Sequence, residues 1–77
     1  MRRTVLLDVV QKAPQESQFR LLELFDRVAV GDTIRVISDA GIAPVCQALF
    51  EEREGQFICE ARREGHNEWV ARIIKVR

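Results

Sequence analysis

The sequence predicts an α/β domain with the element order β-α-β-α-β-β and both helices on one face of the sheet. Three observations lead to this prediction. Two short runs rich in β-branched residues each precede a segment with helical apolar spacing. Two further strand-like runs close the chain and are joined by a short polar segment. One side of the predicted strands is almost wholly apolar, which supplies a surface for helices to cover.

The first β-α-β unit occupies the amino-terminal half of the chain. Thr4–Val9 is predicted to be a strand, and Pro14 supplies the fixed φ angle with which helices commonly begin. Apolar residues then recur at helical spacing from Glu16 to Val28. After a turn at Gly31-Asp32, Thr33–Ser38 is predicted to be the second strand. Because the connection contains a helix, the two strands should be parallel with a right-handed crossover.

The second helix has the clearest pattern in the chain, and the last two strands follow it. Its apolar positions fall on one helical face, at Ile42, Val45, Cys46, Leu49 and Phe50. Gly55 is expected to end the helix, because glycine readily adopts the left-handed conformation that follows many helices. Residues 56–62 and 67–76 are predicted to form a hairpin. Its connection contains His66, which we interpret as a solvated turn residue.

Composition describes one domain that needs neither a metal nor a disulfide to fold. The 77 residues are 47% hydrophobic and 31% charged, and residues 1–77 are interpreted as a single domain. Twelve basic and twelve acidic side chains cancel and are interspersed. A general nucleic-acid binder needs a one-sided basic field to release counterions from phosphates. Nucleic acid is therefore an unfavoured partner.

The sequence predicts no membrane location, no metal site and no cofactor. The apolar run from Val5 to Val10 is interrupted by Asp8 and is too short for a signal-peptide core or a membrane span, so the expected location is the cytoplasm. Cys46 and Cys59 lie thirteen positions apart, without a CxxC spacing or a histidine cluster. This spacing predicts neither a zinc site nor a redox pair. Both thiols are interpreted as buried and unreactive.

The two faces of the predicted strands differ in character. Alternation places an apolar set under the helices: Val5, Leu7, Val9, Ile34, Val36, Phe57, Cys59, Ala61, Trp69, Ala71 and Ile73. The opposite face mixes charged residues with a set of aliphatic residues that form a candidate interface: Leu6, Ile37, Ile58, Val70 and Ile74. They are either the scattered aliphatics that open sheets expose, or a contact face for a protein partner or a second copy of the chain.

Two further regions are candidate contact sites. The loop before the second helix contains Ser38, Asp39, Gly41 and Pro44. Its oxygen side chains either cap the first N–H groups of the helix, or the loop and helix terminus bind an anion or a small polar ligand. Basic residues also concentrate near the carboxyl-terminal hairpin, at Arg62, Arg63, Arg72, Lys75 and Arg77. They form either a solvated edge that deters strand pairing or a docking patch for an acidic partner.

The order and spacing of these motifs resemble the TusA/SirA-like superfamily of sulfur carriers over nearly the whole chain. The matching features are Leu7-Asp8 before a proline-started helix, Gly31-Asp32 before a strand, Ser38-Asp39 followed by Pro44, Gly55-x-Phe57, and Trp69 in the closing strand. The chain is most similar to an uncharacterised branch that lacks the cysteine of the Cys-Pro-x-Pro motif. The resemblance implies an α/β two-layer sandwich with a mixed four-stranded sheet and an interior last strand.

The resemblance also bears on function, through the residues that depart from it. Pro14 stands where the family carries its persulfide cysteine, and proline offers no thiolate. Ala40 stands where relatives often carry a histidine in the central loop, so a metal or heme role of that histidine is lost. We therefore interpret the chain as a non-catalytic binding or interaction domain. The alternative is a sulfur carrier whose thiol has moved to Cys46 or Cys59.

Overall fold

Alternating strands and helices form one mixed sheet with a helical layer on one side. A computed structural model describes residues 2–77. Its elements in chain order are β1 (Thr4–Asp8), α1 (Pro14–Arg27), β2 (Thr33–Ser38), α2 (Ile42–Glu52), β3 (Phe57–Gly65) and β4 (Glu68–Lys75). The strands lie in the order β1-β2-β4-β3; β1 and β2 are parallel and the other pairs are antiparallel. The predicted element order, mixed four-stranded sheet and interior last strand are confirmed.

The hydrophobic core lies between the two helices and the sheet face beneath them. Its buried members are Val9, Leu21, Phe25, Val28, Ile34, Val36, Ile42, Val45, Cys46, Leu49, Ala71 and Ile73. The predicted alternation is confirmed for the two central strands, where Ile34, Val36, Ala71 and Ile73 are fully buried. Ala61 was expected in this set but is exposed, because the edge strand β3 is partly covered only near its start.

The ends of the two helices differ in how well the sequence predicts them. Helix α1 begins at Pro14 as predicted, since a first-turn proline has no helical hydrogen bond to lose. Helix α2 ends at Glu52 and not at Gly55. Arg53 already has a φ of −125°, and its guanidinium donates to both carboxylate oxygens of Asp26 on α1, at 3.0 and 2.8 Å. Gly55, with a φ of 80°, then lies in the turn that leads into β3.

A buried carboxylate joins the start of β1 to the turn between α1 and β2. Asp32 is 1% exposed; its Oδ2 accepts the Ala29 N–H at 2.9 Å and its Oδ1 accepts the Arg3 N–H at 3.0 Å. These two backbone bonds, helped by the Arg3 guanidinium at 3.6 Å, hold the pKa of Asp32 below its usual value. The charged carboxylate therefore stabilises the amino-terminal ends of the two parallel strands.

Lys75 belongs to the predicted basic patch but has a structural position. Its Nζ donates to the carbonyl oxygens of Phe25 and Val28, both at 2.9 Å, at the carboxyl end of α1. The ammonium also lies 4.9 Å from the centroid of the Phe25 ring. Lys75 thus satisfies helix carbonyls that lack intrahelical partners. Lys75 therefore has a structural role within the chain, and the predicted basic patch loses one of its members.

Candidate functional site

One face of the sheet carries no helix, and we call it the open face. The strand register arranges its side chains in three rows across the order β1-β2-β4-β3. The first row is Thr4, Thr33, Ile74 and Ile58; the second is Leu6, Arg35, Arg72 and Glu60; the third is Asp8, Ile37, Val70 and Arg62. All five aliphatic residues of the candidate interface lie on this face. Charge is concentrated in the second and third rows.

Two arginines stand side by side in the middle row. Arg35 on β2 is directly opposite Arg72 on β4. Arg72 lies 3.6 Å from the carboxylate of Glu60, and both side chains are more than half exposed. Among residues 2–77, no carboxylate lies within salt-bridge distance of the Arg35 guanidinium. The pair therefore holds two positive charges with one nearby negative charge.

The arginines surround a shallow depression in the open face. Its volume is about 560 Å³, and its lining includes Thr4, Thr33, Arg35, Glu60, Arg62, Val70 and Arg72. Three arginines and one glutamate give this lining a positive balance. Arg62 is paired with Glu64 at 2.7 Å, yet its side chain remains 73% exposed. The threonine hydroxyls are additional hydrogen-bonding groups at the margin. The depression is suited chemically to a carboxylate or another anion.

The aliphatic residues of the open face differ in accessibility. Leu6 on edge strand β1 is 59% exposed and Ile58 on edge strand β3 is 54% exposed. Ile37 and Ile74, on the two central strands, are half-buried. Val70 is 5% exposed and lies among the residues that line the depression. Apolar contact surface is therefore available mainly at the two edges, on either side of the arginines.

The basic residues near the hairpin do not form one patch, because strand alternation divides them. Arg62 and Arg72 are on the open face. Arg63 lies on the other side, where its guanidinium is 5.9 Å from the centroid of the Trp69 ring. Lys75 caps α1 on that same side. Arg35, which the sequence analysis did not select, takes their place in the positive cluster because its register sets it beside Arg72.

The loop from Ser38 to Pro44 differs from the sequence interpretation that its side chains cap α2. Ser38 is 2% exposed, and its Oγ accepts the N–H of Ala40 at 3.1 Å. Gly41 is the residue that precedes α2, and no side chain caps the helix there. The expectation that Ser38 or Asp39 caps α2 is therefore wrong: the serine hydroxyl turns back into its own loop. Pro44, in the first turn of α2, is exposed.

Asp39 connects two loops at the carboxyl ends of the parallel strands. Its Oδ2 accepts the N–H of Gln11, in the loop between β1 and α1, at 3.2 Å. Gln11 has a φ of 61°, a left-handed conformation that is unusual for a residue other than glycine. In the same loop, Asp8 Oδ1 accepts the Val10 N–H at 2.9 Å. These carboxylates satisfy loop N–H groups, which gives Asp39 a structural role in place of helix capping.

The two cysteines meet between α2 and β3. Cys46 is fully buried and Cys59 is half-buried, and Cys59 packs against the core cluster to which Cys46 belongs. A side-chain hydrogen bond with Cys59, together with burial in the core, raises the pKa of the Cys46 thiol. The bond from Cys46 lowers the pKa of the Cys59 thiol, against the opposing effect of burial. The sequence spacing predicted no redox pair, and the fold brings the two cysteines to the same interface although they are thirteen positions apart.

The remaining candidate residues show no metal-binding arrangement. Within residues 2–77, no group of three or more histidine, cysteine, aspartate or glutamate side chains is placed to hold a metal ion. His66 is exposed in the turn between β3 and β4, and its carbonyl oxygen accepts a bond from Arg63 at 2.6 Å. In that same described part of the chain, neither helix is long and apolar enough to cross a membrane.

Comparisons with protein-family models, with curated proteins and with solved structures found no match to this chain. The resemblance to the TusA/SirA-like superfamily therefore stays a prediction based on the motifs named above. Among the chain's own surfaces, the open face combines three arginines around a depression with exposed aliphatic residues at both edges.

Proposed function

We propose that this domain is a non-catalytic binding module that docks an acidic protein partner on its open face. In this proposal the scaffold is TusA-like and has lost the persulfide cysteine of that family, with Pro14 in its place. The observation that carries the proposal is the opposition of Arg35 and Arg72, where Arg35 has no carboxylate partner among residues 2–77.

The repulsion between Arg35 and Arg72 favours the binding of an anion between them. Like charges directly opposite each other on one sheet face are destabilising, by up to about 1 kcal/mol. A carboxylate placed between Arg35 and Arg72 relieves that repulsion and accepts several charge-assisted hydrogen bonds. Guanidinium groups are suited to this geometry because they present their donors in a planar fork. Binding energy at this site therefore includes the relief of a repulsion that the free domain carries.

The apolar margins favour a protein over a free ion as the partner. Leu6 and Ile58 are more than half exposed at the two edges of the face, and they flank the arginines. Interfaces commonly combine apolar contact area with arginine, and charged pairs there set orientation and specificity. A protein surface with carboxylates at its centre and aliphatic side chains around them matches this layout.

Nucleic acid fits the same face less well. The net charge is zero, so the domain lacks the broad positive field of general nucleic-acid binders. Single-stranded nucleic acids are commonly held by exposed aromatic side chains. The aromatic residues Phe19 and Phe50 are exposed, but they belong to helices α1 and α2 and not to the open face.

Affinity for an acidic peptide tests the proposal. A peptide of alternating glutamate and leucine is titrated into the protein by calorimetry at low ionic strength. We expect the Arg35→Gln, Arg72→Gln double variant to bind at least about tenfold more weakly, because two charge-assisted contacts are removed. The matched control is Arg20→Gln with Arg27→Gln, which removes the same charge from exposed positions on α1. Equal weakening in both double variants contradicts a specific site on the open face.

A sulfur carrier with a relocated thiol is the second candidate. The lowered pKa of Cys59 favours it, because the thiolate is the nucleophile. Cys46 cannot hand sulfur to a partner from a fully buried position. Transfer of radiolabelled sulfur from a persulfide donor to Cys59 in the native protein tests this role, with Cys59→Ser as the control.

A further inference from the structure

A second chemical site lies on the other side of the sheet from the arginines. Cys46 on α2 and Cys59 on β3 come from different layers of the fold, and both lie where α2 packs on the sheet. Cys59 packs against the core cluster to which Cys46 belongs. This pair takes no part in binding on the open face, so it needs a separate account.

The two cysteines lie along a regular packing of helix on strand. Phe50 on α2 stacks on Phe57 of β3, with ring centroids 5.5 Å apart and planes inclined by 14°. Four residues along a helix advance about 6 Å, and two residues along a strand advance about 7 Å. The step from Cys46 to Phe50 therefore matches the step from Cys59 to Phe57. We infer that the same interface brings the thiols of Cys46 and Cys59 next to each other, one step along from the stacked rings.

The two thiols differ in their access to solvent. Cys46 is 0% exposed, whereas Cys59 is half-buried on a strand at the edge of the sheet. A small oxidant therefore reaches Cys59 first. The hydrogen bond from Cys46 also favours the thiolate of Cys59, which is the reactive form. The buried thiol of Cys46 is then positioned to react with the oxidised sulfur of Cys59.

We propose that Cys46 and Cys59 are a peroxide-sensitive dithiol that forms a reversible intrachain disulfide between α2 and β3. The Cys59 thiolate attacks one peroxide oxygen; the O–O bond breaks, and Cys59 becomes a sulfenic acid while hydroxide leaves and takes up a proton as water. The sulfur of Cys46 then attacks the sulfenic sulfur. The S–S bond forms, the S–O bond breaks, and the hydroxyl leaves with the Cys46 proton as a second water. The two thiols lose two electrons in total, and the peroxide gains them.

Peroxide treatment of the native protein tests the proposal. The protein is exposed to a small excess of hydrogen peroxide at neutral pH, quenched, alkylated and analysed by intact mass. We expect the mass of the unalkylated chain less two hydrogen atoms, and full alkylation after reduction with dithiothreitol. Arg53 lies between the two cysteines, so a tryptic digest places them in different peptides. The two peptides should be found linked before reduction and separate after it.

Single variants show which thiol reacts first. In Cys46→Ser, Cys59 should stop at a sulfenic acid that dimedone traps; in Cys59→Ser, Cys46 should remain unmodified. Circular dichroism checks the fold of each variant, and Cys46→Ala is used if the serine variant does not fold. Disulfide formation in the wild-type protein tests the proposal even if neither variant folds. A native protein that stays fully reduced, or that oxidises only to intermolecular dimers or to sulfinic acid, overturns the proposal.

Discussion

Arg35 and Arg72 face each other across the two central strands, on the face of the sheet that no helix covers. Two adjacent positive charges do not help the isolated domain to fold, since like charges opposite each other on one face are destabilising. The proposed docking of an acidic partner gives the arrangement a role. Under this proposal the two arginines lower the stability of the free domain and contribute affinity in the complex.

Removal of one arginine should make the free domain slightly more stable. Arg35→Gln eliminates the repulsion with Arg72, so we expect the free energy of unfolding to rise by about 0.2 to 1 kcal/mol at low ionic strength. High salt should reduce the difference, because exposed charges are screened. Urea denaturation measures the change, with Arg20→Gln on α1 as the control. A clear loss of stability in Arg35→Gln alone contradicts the repulsion.

Replacement of an exposed aliphatic residue on the open face should affect binding more than folding. Ile58 is 54% exposed, so Ile58→Ser should change the free energy of unfolding by about 1 kcal/mol or less while it weakens binding of the acidic peptide severalfold. Val30→Ser is the control, because Val30 is 61% exposed in the turn after α1. Calorimetry compares the two variants. If Ile58→Ser and Val30→Ser bind the peptide with equal affinity, Ile58 is not part of the binding surface.

Acid should remove the stabilisation that Asp32 provides. Two backbone hydrogen bonds lower the pKa of Asp32 in the folded protein, so its contribution is complete above the unfolded value of about 4 and is lost as the pH falls through the folded value. Asp32→Asn should be less stable than the wild type at neutral pH, and the gap should close as the pH is lowered. Urea midpoints at a series of pH values measure this. A stability difference between the wild type and Asp32→Asn that is the same at every pH would contradict a stabilising role of the Asp32 charge.

The oxidised dithiol should be more stable than the reduced one. A bond between Cys46 and Cys59 closes a loop of about 15 residues, for which the loss of unfolded-state entropy corresponds to about 3 kcal/mol. The urea midpoint of the oxidised protein should therefore rise, and dithiothreitol should restore the original value. The Cys46→Ser variant treated in the same way is the control. A lower midpoint after oxidation indicates that the bond strains the contact between α2 and β3.

The periodic spacing of apolar residues made the fold predictable from the sequence. The candidate site was predictable only in part, because it also depends on strand register. Alternation in the strands placed Leu6, Ile58 and Arg72 on one face, and their positions follow from local geometry alone. The opposition of Arg35 and Arg72 depends on the register between β2 and β4, which are far apart in the chain. Local patterns leave that register open, so Arg35 was not selected.

The loop and the thiols show the same limit. Ser38 has a side chain suited to capping, but this side chain is buried in the loop before α2. Its hydroxyl oxygen accepts a hydrogen bond from the Ala40 N–H, so the start of α2 has no side-chain cap. Each cysteine was predicted to point inward, and that is confirmed for Cys46. Their proximity depends on how α2 lies over β3, which is a tertiary arrangement. Sequence spacing identifies residues that are neighbours within one helix or strand, and it does not identify residues that come together when a helix packs on a sheet.

Backbone amide mapping of the acidic peptide by NMR decides whether the open face is the binding surface. The peptide of glutamate and leucine is titrated into isotope-labelled protein, with Arg Nε–H signals observed beside the amides. We expect shifts confined to the open face, largest at Arg35 and Arg72 and their neighbours on β3 and β4, and absent in the Arg35→Gln, Arg72→Gln variant. Shifts spread over helix α1 and both termini, or unchanged in that variant, contradict the claim that the open face is the binding surface.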